Sequence, residues 1–132
     1  METLAIGEIA HRSGVSGPTI RYYESIGLLP APSRVNGRRR YDASTLQRLR
    51  IIRVAQRAGF TLGEIRELFQ GFPAGTTPAA RWERLARRKL AELDAQLARI
   101  EIMRKILREG LRCGCLTMEQ CTLWMSGYAE QE

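Results

Sequence analysis

Apolar residues return every three or four positions at the start of the chain. Ile6, Ile9 and Ala10 form one face of a first helix, and Ile20, Tyr23 and Ile26 one face of a second. Gly14-Val15 reads as the turn between them. Ser16 is placed to cap the second helix, Pro18 fits its first turn and Gly27 ends it. This is the spacing of a helix-turn-helix, although many two-helix corners share it. "PAPSRVNGRRRYD" then abandons the helical period for two prolines and Asn36-Gly37, a strong signal for a tight β-hairpin. A small wing carrying Arg34, Arg38, Arg39, Arg40 and Tyr41 is expected there. Two further helices are expected at about Ala43–Ala58 and Leu62–Gln70, divided by Gly59, the second started by Thr61. "GFPAGTTP" breaks the chain after them.

From Ala79 there is no Gly or Pro until Gly110. Leu90, Leu93, Leu97, Ile100, Leu107 and Leu111 keep heptad a/d spacing, with Arg104 the one polar a position. A helix of about 30 residues spans about 45 Å, and a protein this small has little to cover its one-sided stripe. A homodimer joined by a long coiled coil is therefore expected. The alternative is a helix folded back on its own head. The fold class is mainly α, divided into a winged helix-turn-helix head over 1–72, a dimerisation helix over 77–111 and a cysteine-containing tail over 112–132.

Charge sharpens the reading of the head. The 132 residues carry a net charge of +7, and residues 1–53 hold nine arginines against Glu2, Glu8, Glu24 and Asp42. After Cys113 there are three acids and no Lys or Arg, so a polyanion is expected to bind the front of the chain. A helix opening "SGPTIRYYE" fits the major groove, with Ser16 at its start and Thr19, Arg21 and Tyr22 on or near its exposed side. Arg34, Arg38 and Arg39, with Tyr41, would hold the adjacent DNA backbone or minor groove from the wing. Phosphate neutralisation would then give most of the affinity and a steep salt dependence. The bland alternative is a solvated basic face. No stretch approaches the roughly 18–20 apolar residues of a membrane helix, and "METLAIGEIAHRSG" lacks a signal-peptide pattern. A cytoplasmic protein with reduced thiols and no membrane partner is expected.

"IGEIAHRSGVSGPTIRYYESIGLLPAPSRVNGRRRYD" and the following "LQRLRIIRVAQRAGFTLGEIRELF" resemble the MerR family of bacterial transcription regulators. The marks are "TIRYYE", "GLL", Arg34 in the wing, Gly37 with Arg39 and Tyr41, and "AGFTLGEI". The departure is Arg38, where an aromatic often follows the wing glycine. The resemblance implies a homodimer on a near-palindromic operator in double-stranded promoter DNA. It also implies that the effector-bound form twists and bends the DNA so that RNA polymerase engages both promoter elements. The effector must then offset the deformation cost of the DNA by stabilising the distorting conformation.

All three cysteines, Cys113, Cys115 and Cys121, lie within "RCGCLTMEQC". Clustered thiols of odd count suggest a metal or redox site rather than a disulfide scaffold. Thiolates are soft and select monovalent copper and its congeners, zinc-like divalent ions or an iron–sulfur cluster. Gly110 and Gly114 are expected to give the loop its flexibility, and Arg104, Lys105, Arg108 and Arg112 to supply either a positive field or merely a solvated face. Only about twenty residues follow the long helix in this sequence, so a small effector rather than a drug-sized ligand is expected. Within the family, the loop is similar to that of the SoxR-type redox sensors, which hold a [2Fe–2S] cluster on Cys-x-x-Cys-x-Cys-x5-Cys, but the first position here is Gly110. Copper sensors of the family use Cys-x7-Cys, the spacing of Cys113 and Cys121. Sensors of divalent ions add a cysteine near the position of Ala79. The expectation is a soft metal ion, a monovalent copper-like one favoured over a divalent one, with a [2Fe–2S] cluster as the alternative. Met118 is a weaker soft-ligand candidate. Leu123, Trp124 and Met125 read as packing residues, and His11 as structural or solvent-facing. An enzyme is not expected: there is one histidine, no phosphate loop and no Ser/His/Asp arrangement. A metal-storage or delivery protein would need the thiols but not the basic head.

Overall fold

The computed structural model describes residues 2–115 and 117–120. Its elements run β1 (Thr3–Ala5), α1 (Ile6–Ser13), α2 (Gly17–Ser25), β2 (Ser33–Val35), β3 (Arg38–Asp42), α3 (Ser44–Arg57), α4 (Leu62–Gln70) and α5 (Pro78–Arg112), then a short 3-10 turn at Met118–Gln120. By contacts the chain divides into two units, Met1–Ala86 and Arg87–Glu132. The head expected over 1–72 thus takes in the first turns of α5.

Local chemistry explains most of the boundaries in the head. Gly14 closes α1 in the left-handed region, φ 74°, and donates its N–H to the Ala10 carbonyl. Two residues later the Ser16 Oγ accepts the Thr19 N–H at 3.3 Å and opens α2, with Pro18 in the first turn. Asn36 (φ 54°) and Gly37 (φ 76°) make the tight turn between β2 and β3, a pair of positive φ values that Asn-Gly tolerates. Asp42 begins α3 by accepting the Ser44 N–H at 2.8 Å. At α4 the Thr61 Oγ1 accepts from the Glu64 N–H at 3.2 Å, and the Glu64 carboxylate accepts from the Thr61 N–H at 3.0 Å. Thr77 opens α5 in the same way, its Oγ1 accepting from the Ala80 N–H at 3.1 Å.

The wing is larger than expected. β1 joins β3 antiparallel, with Leu4 opposite Tyr41, and β2 joins the other edge, with Arg34 opposite Arg39, giving the sheet order β1-β3-β2. β1 was not foreseen from the sequence. Three residues are too few to show a period of two, and β1's partner lies far along the chain. The core gathers Ile9 of α1, Ile20 and Tyr23 of α2, Leu28, Tyr41 of β3, Leu49 and Ile52 of α3, Ile65 of α4 and Leu85 of α5. Each helix of the head thus contributes an apolar face, which fixes how α2 and the wing are carried.

The second unit, as far as it is described, is the rest of α5 and the segment after it. The helix continues through Gly110 to Arg112, correcting the expectation that Gly110 belongs to a flexible loop. Gly114 alone of that pair adopts a left-handed φ, 59°. Leu90, Leu97, Ile100 and Leu107 are 48–67 % exposed, so the heptad stripe is not covered by the described residues. No helix among the described residues is long and apolar enough to cross a membrane.

Candidate nucleic-acid interface and thiol loop

α2 carries four of the residues expected to meet DNA. Ser16 and Thr19 sit at its start, their hydroxyl oxygens 2.8 Å apart, with Ser16 exposed and Thr19 half-buried. Arg21 and Tyr22 are exposed, Tyr22 by 53 %, while Ile20 and Tyr23 face inward. The helix therefore shows a short polar face and buries the opposite one, the arrangement that a groove-reading helix requires.

The wing arginines have different settings along the hairpin. Arg38 is exposed at the hairpin tip, and Arg34 reaches across the turn to donate to the Gly37 carbonyl at 3.3 Å. Arg40 is engaged inside the sheet, donating to the Thr3 carbonyl at 2.9 Å and the Thr3 hydroxyl at 3.3 Å. Arg39 and Tyr41, two apart on β3, share a face and meet Glu24 of α2. The Tyr41 hydroxyl donates to the Glu24 carboxylate at 2.9 Å, and Arg39 Nε stands 3.5 Å from the same oxygen.

Tyr41 requires a correction. At 1 % exposure it is a core residue and has no side-chain surface to offer to DNA. Its burial, followed by the hydrogen bond to Glu24 and the charge of that carboxylate, pushes the phenol from 10.0 up to about 12, against smaller opposing effects of Arg39 and Arg21. Tyr41 lies inward beside buried Leu4 of β1, a pairing that the sequence did not reveal because β1 itself was not foreseen. Glu24 was read only as a charge and is the residue that the sequence reading missed.

Residues 1–72 carry eleven arginines against six acids, so the head keeps a net positive charge. Glu8 pairs with Arg12 at 3.2 Å, Glu24 with Arg39 and Tyr41, and Asp42 accepts from Ser44. The Ser44 backbone and hydroxyl hold Asp42 below the usual carboxylate range. Arg21, Arg34 and Arg38 remain exposed on α2 and the wing. A concentrated positive field of this kind suits a polyanion.

The thiols lie in the second unit. Cys113 follows the last residue of α5; its N–H donates to the Glu109 carbonyl at 3.1 Å and its Sγ to the Gly110 carbonyl at 3.2 Å. Cys115 is half-buried, its Sγ 3.5 Å from the Gln120 carbonyl and 3.8 Å from that of Cys113. Cys121, Leu123, Trp124 and Met125 lie outside the described residues. Among those described, no group of three His, Cys, Asp or Glu side chains is assembled around a metal position. The donor set still fits a soft ion, because two thiols sit on irregular backbone where Gly114 lets the chain turn. It does not complete a four-thiolate cluster, since Gly110 lies in α5 and offers no side chain.

Two family models match this chain. "MerR HTH family regulatory protein" covers residues 4–71 and "MerR, DNA binding" residues 46–110. The HTH-type transcriptional activator SoxR homolog of Chromobacterium violaceum is 32 % identical over 123 residues, 92 % of this chain and 83 % of that protein. The mercuric resistance operon regulatory protein of Pseudomonas fluorescens is 37 % identical over 116 residues, 87 % of this chain and 78 % of that one. Among solved structures, the transcription regulator PbrR691 from Ralstonia metallidurans CH34, in complex with lead(II), is similar with a TM-score of 0.72 and 31 % identity, covering 93 % of this chain and 98 % of that one.

Proposed function

The chain belongs to the MerR family of helix-turn-helix transcription regulators, and on that premise we propose that it regulates a promoter in response to a soft metal ion held by its C-terminal cysteines. α2 enters the major groove with Ser16, Thr19, Arg21 and Tyr22, and Arg34, Arg38 and Arg39 take phosphates beside it. Two copies pair through the α5 stripe, and the dimer places two heads on one operator in the cytoplasm. RNA polymerase is the further partner, engaged when the metal-bound dimer distorts the promoter.

The observation that carries this reading is the position of Cys113 and Cys115, directly after the end of the long helix. A ligand that orders the thiol loop there acts on the last turn of the element proposed to dimerise. Two relatives point to the class of ligand: one is named for mercuric resistance, and one structure contains lead(II). Thiolate chemistry suits the same class. Within it we favour a monovalent copper-group ion bound by Cys113 and Cys121. Such ions accept two or three sulfurs, and Ala79 stands where a third, partner-supplied thiol would be needed for a divalent ion. Cys115 is the added donor that would admit a divalent ion.

The similarity to the SoxR homolog supports a second reading, an iron–sulfur redox sensor. Elemental and acid-labile sulfide analysis of protein purified without oxygen separates the two. The proposal expects no iron, and uptake of copper(I) or silver(I) in fixed ratio that is lost in Cys113→Ser. Iron with equal sulfide and visible absorption would overturn it in favour of the cluster.

A further inference from the structure

Glu24 is an acid in the last turn of the helix proposed to read DNA, on the most basic part of the chain. A negative charge there opposes a polyanion, so electrostatics alone gives no reason for it. Its contacts supply one. The carboxylate accepts the Tyr41 hydroxyl at 2.9 Å and stands 3.5 Å from Arg39 Nε. Both partners come from β3, on the same face two residues apart. Arg39 Nε is buried and has no hydrogen-bond partner among the described residues, so Glu24 holds it by charge. α2 is already anchored in the core by Ile20 and Tyr23, and Tyr41 is buried by its ring. Beside these apolar anchors, the polar node gives the buried Tyr41 hydroxyl its partner and ties α2 to β3.

Resting on the DNA-binding reading above, we infer that Glu24 is a positioning residue: by taking Tyr41 and Arg39 together it fixes α2 against the wing, so that helix and wing meet one duplex in register. The lever arm makes this effective. Glu24 lies near the end of α2, and the N-terminal residues that would read bases lie about 10 Å along the axis. A tilt of about 10° at Glu24 would move them by about 2 Å, more than a hydrogen bond tolerates. Fixing that angle before binding removes an ordering cost from association.

Tyr41→Phe tests the node without changing charge, because the phenol is neutral at pH 7. The probe is a labelled duplex enriched by the full wild-type chain from a random-sequence pool, with circular dichroism showing each variant folded at the binding temperature. Affinity should fall, by up to about tenfold, the limit in which binding must supply all the ordering that one hydrogen bond to a charged group provides in the free protein. The slope of log K against log salt should become shallower by about one, because the wing loses a phosphate. In a Glu24→Ala background the same substitution should do nothing further. Glu24→Gln, which keeps an acceptor for the hydroxyl, should retain more of the wing footprint than Glu24→Ala. Wild-type affinity and slope in Tyr41→Phe would overturn the inference, as would losses that simply add in the double variant or equal losses in the two Glu24 variants. A wild-type chain that enriches no duplex would overturn the DNA-binding reading itself.

Discussion

Tyr41 places a phenol in the core with its hydroxyl on a carboxylate, and that setting fixes its titration. Desolvation acts first and the bond to Glu24 second, and together they raise the group from 10.0 to about 12. Folding therefore favours the neutral phenol. The stabilisation is fully present below pH 10 and is lost as pH rises towards 12. The melting temperature of the wild type should fall more steeply over that interval than that of Tyr41→Phe, which has nothing to ionise there. Parallel melting curves against pH would contradict the assignment. Its neighbours show how an uninterrupted "RRRY" conceals different roles. Arg40 holds β1, Arg39 faces α2, and Arg38 stays exposed at the tip. Alternation sets Arg39 on the opposite face from Arg38 and Arg40, and the pairing of β3 with β1 separates Arg40 from Arg38.

Elements with local boundary signals were the legible ones. α4 runs over Leu62–Gln70 as expected, because Thr61 and Glu64 satisfy each other's backbone donors at its start. The β2–β3 hairpin was legible from Asn36-Gly37 for the same kind of reason. β1 was not, since its place depends on pairing with β3 and on the hold of Arg40 on Thr3. Gly110 was misread because glycine is only a weak helix breaker, and α5 carries through it to Arg112. The exposed stripe of α5 allows a test of the proposed dimer. Leu97→Glu would place a charge in the middle of a desolvated seam, a cost of several kcal/mol in order of magnitude. Sedimentation should show a dimer for the wild type and a monomer for the variant, with the helical head retained. A wild-type monomer at high concentration would contradict the pairing.

At the scale of the whole molecule, charge and thiols sit in different units. The head concentrates exposed arginines on α2 and the wing, while Cys113 and Cys115 follow the end of a helix thirty-five residues long. The sequence made this separation visible, because charge and cysteine content need no folding to be counted. What it left open is how the thiol loop is assembled, since the ligand set depends on backbone placement beyond Cys115. On the proposed reading, metal binding at one place is converted into a change of DNA shape at another, through two states that the metal distinguishes by affinity. The most direct test is the fluorescence of 2-aminopurine at the centre of an operator duplex already saturated with protein, during anaerobic titration with copper(I). The account predicts a change in fluorescence that saturates at a fixed ratio of metal to dimer and is lost in Cys113→Ser, with the duplex bound throughout. A bound duplex whose fluorescence stays constant as copper(I), silver(I) and mercury(II) are added would contradict it.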